Sequence, residues 1–70
     1  MTDAQIVKEI MDHLAWDNRV DASDIQVEVI NGRVRLSGTV PNQGARKAAQ
    51  DAAQHTMGVV EVYNQLELGT

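Results

Sequence analysis

The stretch VEVINGRVRLSG, residues 27–38, constrains the fold more than any other part of this chain. Asn-Gly between two runs of alternating apolar and polar residues is the preferred two-residue type I′ hairpin turn. With Asn31 and Gly32 in the turn, the predicted antiparallel pairs are Ile30 with Arg33, Val29 with Val34, Glu28 with Arg35, Val27 with Leu36, Gln26 with Ser37 and Ile25 with Gly38. One face then carries Ile25, Val27, Val29, Val34, Leu36 and Val40, and the other carries Gln26, Glu28, Ile30, Arg33, Arg35 and Ser37. A one-residue slip would turn the apolar set to water, so the pattern predicts the register as well as the hairpin.

The segment before the hairpin has the pattern of an amphipathic helix followed by a loop. Thr2 and Gln5 fit a capping box, which predicts a helix over residues 3 to about 15. Its apolar residues recur at helical spacing: Ile6, Val7, Ile10, Met11 and Leu14. Residues 17–24, DNRVDASD, are polar and rich in turn formers, so we predict a connecting loop with Val20 turned inward.

A second helix is predicted over residues 43 to about 57. Pro41 ends the preceding strand, Asn42 is placed to cap the helix, and Gly58 is placed to stop it. A stripe of small side chains, which lets a helix lie close to a sheet, is formed by Ala45, Ala48, Ala49, Ala52 and Ala53. On the outer side, Lys47 and Asp51 stand at i and i+4, the spacing of an exposed ion pair.

The segment VVEVYNQLEL, residues 59–68, predicts one half-buried strand. Its inner side would carry Val60, Val62, Asn64, Leu66 and Leu68, and its outer side Glu61, Tyr63, Gln65 and Glu67. The element order is therefore α-β-β-α-β. Because only one strand face is apolar throughout, we predict an α+β two-layer sandwich, with two helices on one face of a three-stranded mixed sheet.

The amino-acid composition limits which classes of function this chain can have. Seventy residues make one domain with a small core, and without cysteine that core has neither disulfides nor Cys-ligated metal. A net charge of −4 and the scarcity of aromatic residues disfavour nucleic-acid binding. Asp3, Glu9 and Asp12 interrupt what would be the apolar core of a signal peptide, so we expect none in this chain. No apolar run approaches the roughly 18 residues of a membrane span. We expect a cytoplasmic chain as it stands, or a periplasmic one if it is a segment of an exported protein.

The pattern resembles the BON domain, a bacterial module named for osmotically inducible and nodulation proteins. The matching residues are INGRVRLSGTV, then RKAAQDAAQ in the second helix, then Met57-Gly58-Val59 leading to Val62, Asn64 and Leu66. The likeness covers residues 1–70 as a single BON domain, and LAWDNRVDASDI is similar to a subgroup in which these domains occur in tandem. Glycines fall at the family's positions, where we interpret Gly32 as the turn, Gly38 as a strand site under a close-packed helix and Gly58 as the helix stop.

The resemblance implies a non-enzymatic interaction module in osmotic or envelope stress protection. Its expected partners are an anionic phospholipid surface, a neighbouring BON domain or another protein, with no cofactor. The alternative is a module that senses a small ion, potassium for example, or a small ligand, with Asp21 and Asp24 among its acids. Titrating ions while following thermal stability separates these classes, since a ligand of the native state raises the unfolding midpoint.

Catalytic and metal-binding constellations are not predicted. His13 and His55 are the histidines, and only Asp17, at i+4 from His13, suggests a metal pair, which we interpret as ordinary surface residues. Ser23 and Ser37 have no nucleophile context. Gly44 stands at a strand-to-helix junction without the spacing of a phosphate loop, so we interpret it as part of a capped helix start.

Surface contacts are the remaining candidates, and these are Arg33, Arg35, Arg46, Lys47, Trp16 and Tyr63. Arg33 and Arg35 either contact an anionic partner or serve the hairpin, with Arg35 paired to Glu28 and Arg33 lying over Ile30. We favour the second interpretation, because Glu61, Tyr63 and Glu67 share that face and make it mixed. Trp16 either closes the corner between helix and loop, as the resemblance favours, or is exposed at an interface.

Overall fold

Two helices and four strands make up the described part of the chain, which is residues 2–17 and 24–69 of the computed structural model. In chain order they are α1 (Asp3–Trp16), β1 (Ile25–Ile30), β2 (Arg33–Val40), α2 (Gln43–Gln54), β3 (Glu61–Asn64) and β4 (Glu67–Leu68). Most of the predicted connecting loop, with Val20, lies outside the described residues. No helix in the described ranges is long and apolar enough to cross a membrane.

β2 is the central strand of the sheet. It pairs antiparallel with β1 on one side and parallel with β3 and β4 on the other. α1 packs against β1, α2 packs against β2 and β3, and the two helices touch. The core between the layers is formed by Ile6, Ile10, Leu14, Ile25, Val34, Leu36, Val40, Ala45, Ala49, Ala53 and Leu66. The predicted α+β sandwich, with helices over the apolar face of a mixed sheet, is confirmed.

The hairpin has the predicted register at every pair, from Ile25 with Gly38 to Ile30 with Arg33. Its turn residues both adopt positive φ, 52° at Asn31 and 80° at Gly32, as a type I′ turn requires. A side chain at Gly32 would also meet the carbonyl oxygen of Gly58, 2.8 Å from an ideal Cβ. The turn is therefore packed against the connection between α2 and β3.

The predicted C-terminal strand is divided into two short strands, β3 and β4, which pair with β2 in the same parallel register. Arg33 to Leu36 pair with Glu61 to Asn64, and Thr39 and Val40 then pair with Glu67 and Leu68 at the same offset. Between the two parts the N–H of Gln65 donates to the carbonyl oxygen of Leu36 at 2.8 Å, while the N–H of Leu66 donates to Oδ1 of Asn64 at 3.1 Å.

Two residues predicted on the inner side of this strand are exposed. Val60 is 73% exposed and Leu68 is 51% exposed, whereas Leu66 is buried. Val60 precedes the first paired position and Leu68 occupies the last, so both lie at the ends of the strand line. The alternating pattern predicted which side of the strand faces the helices, but it did not predict where along the strand the helices cease to cover it.

α2 begins as predicted and ends at Gln54, earlier than predicted. At its start the Asn42 side chain accepts a hydrogen bond from the N–H of Ala45 at 2.9 Å. At its end the hydroxyl of buried Thr56 donates to the Ala52 carbonyl at 2.8 Å, while the Thr56 N–H turns to the carbonyl of Ala53. The hydroxyl thus occupies the acceptor that the next helical turn would need. Gly58 has a left-handed φ of 91°, but in the connection to β3, so its predicted role as helix stop is wrong.

Gly38 is needed for a different reason from the predicted one. Its φ is 114°, and an ideal Cβ built there lies 1.9 Å from the carbonyl oxygen of Asp24. The close neighbour is thus the backbone that leads into β1, not an overlying helix.

Asp3 ties the start of α1 to the hairpin turn. Its Oδ2 accepts a hydrogen bond from the N–H of Asn31 at 3.0 Å, and its Oδ1 accepts one from the N–H of Gly32 at 3.2 Å. A two-residue turn leaves the N–H groups of its central residues without partners in the ladder. The Asp3 carboxylate supplies an acceptor for each of these N–H groups. It thereby joins the start of α1 to residues 28 and 29 positions further along the chain.

We expect Asp3→Ala to lower the free energy of unfolding by about 2 kcal/mol, because two backbone donors lose a charged acceptor and the helix loses a first-turn acid. Asp3→Asn, which keeps one acceptor oxygen, should cost about 1 kcal/mol. Urea unfolding followed by circular dichroism measures both. Glu9→Ala removes an exposed acid from the same helix and should change stability by less than about 0.5 kcal/mol. Equal losses at the two positions would contradict the role of Asp3.

Candidate functional site

α1 and α2 both pack on the apolar face of the sheet, and the opposite face is called the open face below. Pairing across β1, β2 and β3 sets its exposed side chains in rows. One row is Ile30, Arg33 and Glu61, and the next is Glu28, Arg35 and Tyr63. Alternation in the sequence predicted every one of these side chains to face outward, since residues two apart on a strand share a face.

Both arginines of the open face have carboxylate partners. Arg35 pairs with Glu28 across the hairpin, as predicted. The Nε of Arg33 lies 3.8 Å from Oε2 of Glu61 on β3, a partner that the sequence did not identify. Both pairs are exposed, and exposed ion pairs contribute about 0–1 kcal/mol. Their main effect is on charge, because each guanidinium on this face is balanced by a carboxylate.

Tyr63 completes the open face on β3. The carboxylate of Glu61, through a hydrogen bond and its negative charge, raises the pKa of the Tyr63 phenol above its ordinary value. Ile30 is 66% exposed and Tyr63 is 48% exposed. These two side chains line a shallow depression of about 280 Å³ together with Glu28, Arg33 and Arg35. The open face thus offers apolar and aromatic surface inside a frame of balanced charges.

The other predicted contact residues lie elsewhere. Arg46 and Lys47 are on α2, in the layer on the opposite side of the sheet, so they do not join Arg33 and Arg35. Trp16 is the last residue of α1 and is 87% exposed. That exposure is at odds with the expectation that Trp16 packs into the corner after the helix, and it agrees with the interface interpretation. The six candidates therefore belong to three separate surfaces.

The histidines and acids named in the sequence analysis are the candidates for metal and ion binding. In residues 2–17 and 24–69, no group of three or more His, Cys, Asp or Glu side chains is placed to hold a metal ion. His13 is exposed, and Nδ1 of His55 lies 2.7 Å from the carbonyl oxygen of Asp51. Asp24 is exposed, while Asp21 and Ser23 lie outside the described residues, so the small-ion hypothesis stays a prediction.

Asn64 interrupts the apolar side of the C-terminal strand in the sequence, and the structure gives its side chain a structural role. Its Nδ2 donates to the carbonyl oxygen of Arg46 and to Oε1 of Gln50, both at 3.2 Å. With the bond from Leu66 to its Oδ1, the amide is satisfied at both ends. Asn64 therefore holds α2 against β3 and sets the position of Arg46.

Comparison with known proteins identifies the family. The BON domain model matches residues 2–70. No curated protein matches the chain. Among solved structures, the chain is similar to the C-terminal domain of CdsD, the structural protein of the type III secretion system of Chlamydia trachomatis, with a TM-score of 0.78 and 24% sequence identity. The match covers 100% of this chain and 35% of that one, so this chain spans about a third of its neighbour's length.

The two results agree with the sequence pattern. An identity of 24% shows a shared fold and no more. The family match is stronger, because it extends over residues 2–70 and includes the hairpin, the alanine-rich helix and the segment with Asn64. This chain belongs to the BON domain family.

Proposed function

We propose that this BON domain is a non-enzymatic module that binds a protein partner, a neighbouring BON domain included, through its open face. Membership of the family supports an interaction module. The observation that carries the proposal is the depression on the open face, where Ile30 and Tyr63 are exposed between balanced ion pairs. Aromatic, aliphatic and Arg side chains at the centre of a surface are typical of protein interfaces.

Charge favours a protein over an anionic polymer or bilayer as the partner of the open face. Arg33 and Arg35 are balanced there by Glu61 and Glu28, and the whole chain carries −4. A surface with no excess of positive charge is not drawn to anionic lipid by electrostatics. Paired charges at a protein interface instead contribute to specificity, since a partner must match their positions.

An anionic phospholipid surface is the second candidate, and a specific feature supports it. Ile30, Met57 and Val60 are 66%, 80% and 73% exposed, and the bond from the Val60 N–H to the Gly32 carbonyl holds Val60 beside the hairpin turn. Arg33, whose side chain is 67% exposed, follows that turn. Apolar side chains next to a cation suit the interface of a bilayer. A role in osmotic or envelope stress protection remains an expectation under either partner.

Photocrosslinking tests the protein partner. Tyr63→p-benzoylphenylalanine, introduced into the full natural protein in its own cells, should form a defined adduct, because position 63 lies within the open face. Lys8→p-benzoylphenylalanine, on the exposed side of α1, is the matched control and should not. Ile30→Asp added to the position-63 probe should abolish the adduct. Equal adducts from both positions, or none from position 63, would count against the open face.

Arg33→Ala separates binding from folding. We expect it to change the free energy of unfolding by less than about 1 kcal/mol, because its ion pair is exposed, and to reduce the crosslink at position 63. Flotation with phosphatidylcholine vesicles, with and without phosphatidylglycerol, should show no anionic-lipid-dependent binding at physiological salt. Binding that needs phosphatidylglycerol and is lost in Arg33→Ala would instead establish the membrane candidate.

A further inference from the structure

We propose that a second site, distinct from the open face, binds a carboxylate from an acidic segment of a protein partner. It is a depression of about 360 Å³ between α2 and β3, lined by Gln43, Arg46, Lys47, Gln50, Asp51 and Asn64. This hollow is called the α2 depression below. Its position on the opposite side of the sheet makes it independent of the open face.

The α2 depression carries two positive side chains that are not neutralised by ion pairs within the described residues. Lys8, Arg33 and Arg35 each have a carboxylate within ion-pairing distance. Within the described residues, Arg46 and Lys47 have none, although Asp51 stands one helical turn beyond Lys47. The predicted pair of Lys47 and Asp51 is thus not formed. In a chain of net charge −4, two adjacent cations without partners form a local site for a negative group.

Arg46 also has a hydrogen-bond donor without an acceptor. The Nε of Arg46 is buried and has no hydrogen-bond partner. A buried donor without an acceptor costs about 1–3 kcal/mol, and native proteins leave few of them. The Arg46 backbone cannot move away easily, because its carbonyl accepts a hydrogen bond from Nδ2 of Asn64. Arg46 lines the α2 depression, so a carboxylate there would accept hydrogen bonds from its guanidinium, and a small rotation of the side chain would bring the buried Nε to the same ligand.

The lining selects the kind of anion. Gln43, Gln50 and Asn64 present neutral amides, and Asp51 places one negative charge in the wall. A carboxylate carries a single charge and matches the planar fork of an arginine through two parallel bonds. Two cations and Asp51 give the lining a net charge of about +1, which one carboxylate neutralises, whereas a phosphate group with nearly two charges would leave an excess of negative charge. The chemistry of the walls therefore favours a Glu or Asp side chain.

The test is a titration of the ¹⁵N-labelled chain with a peptide of four glutamates, acetylated and amidated at its ends, followed by NMR. A peptide of four glutamines is the control ligand. We expect saturable shifts at Arg46, Lys47 and the side-chain amides of Gln50 and Asn64. Lys47→Gln and Arg46→Gln should each weaken binding about fivefold to tenfold, as the loss of a charge-assisted hydrogen bond predicts. Arg33→Gln, a cation that already has a partner, should weaken it less than about twofold.

Three results would overturn the assignment. One is equal shifts with the glutamine peptide, which would show that charge does not matter. Another is an equal loss in Arg33→Gln and Lys47→Gln, which would indicate general electrostatics without a site. The third is tighter binding of inorganic phosphate than of the glutamate peptide. Lys47 is exposed, so Lys47→Gln decides the question even if Arg46→Gln disturbs folding.

Discussion

Gly38→Ala is expected to prevent this domain from folding. The residue has a φ of 114°, and a Cβ in that position would lie 1.9 Å from the carbonyl oxygen of Asp24 and 3.0 Å from its carbonyl carbon. The obstacle is backbone, which cannot rotate away as the end of a long side chain can. Relief would require β1 to separate from β2 at their last pair, Ile25 with Gly38. We expect a loss of more than about 3 kcal/mol, most of the stability of a small domain.

Urea unfolding followed by circular dichroism, with the dispersion of an NMR spectrum as a second readout, measures this effect. Gly44→Ala is the matched control, since Gly44 lies in α2 without a positive φ and its Cβ would meet only Oδ1 of Asn42, at 3.3 Å. It should change stability by less than about 1 kcal/mol. A folded Gly38→Ala variant with an unfolding midpoint near that of the parent would show that the strand start at Asp24 can shift.

Leu36→Ala is expected to produce the next largest loss, about 3 kcal/mol, through lost apolar burial and the cavity left behind. Leu36 is fully buried in the central strand, paired with Val27 of β1 on one side and Asn64 of β3 on the other. Both helices contribute to the core around it, so the site cannot collapse by moving one element. The same denaturant titration gives the magnitude.

Leu68→Ala is the control with the same change in side chain. Leu68 is 51% exposed on β4, so we expect a loss below about 1 kcal/mol. The comparison also tests the divided C-terminal strand. If Leu68→Ala lowered the free energy of unfolding as much as Leu36→Ala, Leu68 would have to be buried, as the alternating pattern predicted. That result would contradict its exposed position in β4.

The candidate surfaces were predictable in part. Alternation along the hairpin placed Arg33, Arg35 and Ile30 on the open face, and the register predicted the pair of Arg35 with Glu28. The partner of Arg33 depends on the parallel register between β2 and β3, and no turn between those strands specifies it. The absence of an ion pair between Lys47 and Asp51 likewise could not be read from their spacing, which is compatible with pairing.

The features that could be predicted from the amino-acid pattern are local: the hairpin and its register, the apolar faces of both helices, and the side of the sheet that each strand residue occupies. Turn chemistry and periodicity act within a few residues, so a short window contains their causes. Contacts between distant segments became visible only in the folded chain. Asp3 reaches the hairpin turn, Gly38 lies against the backbone of Asp24, and Asn64 joins β3 to α2. Each of these contacts depends on how the helices pack on the sheet or how the strands pair. The residues involved are far apart in the sequence, so no periodic pattern predicts that they meet.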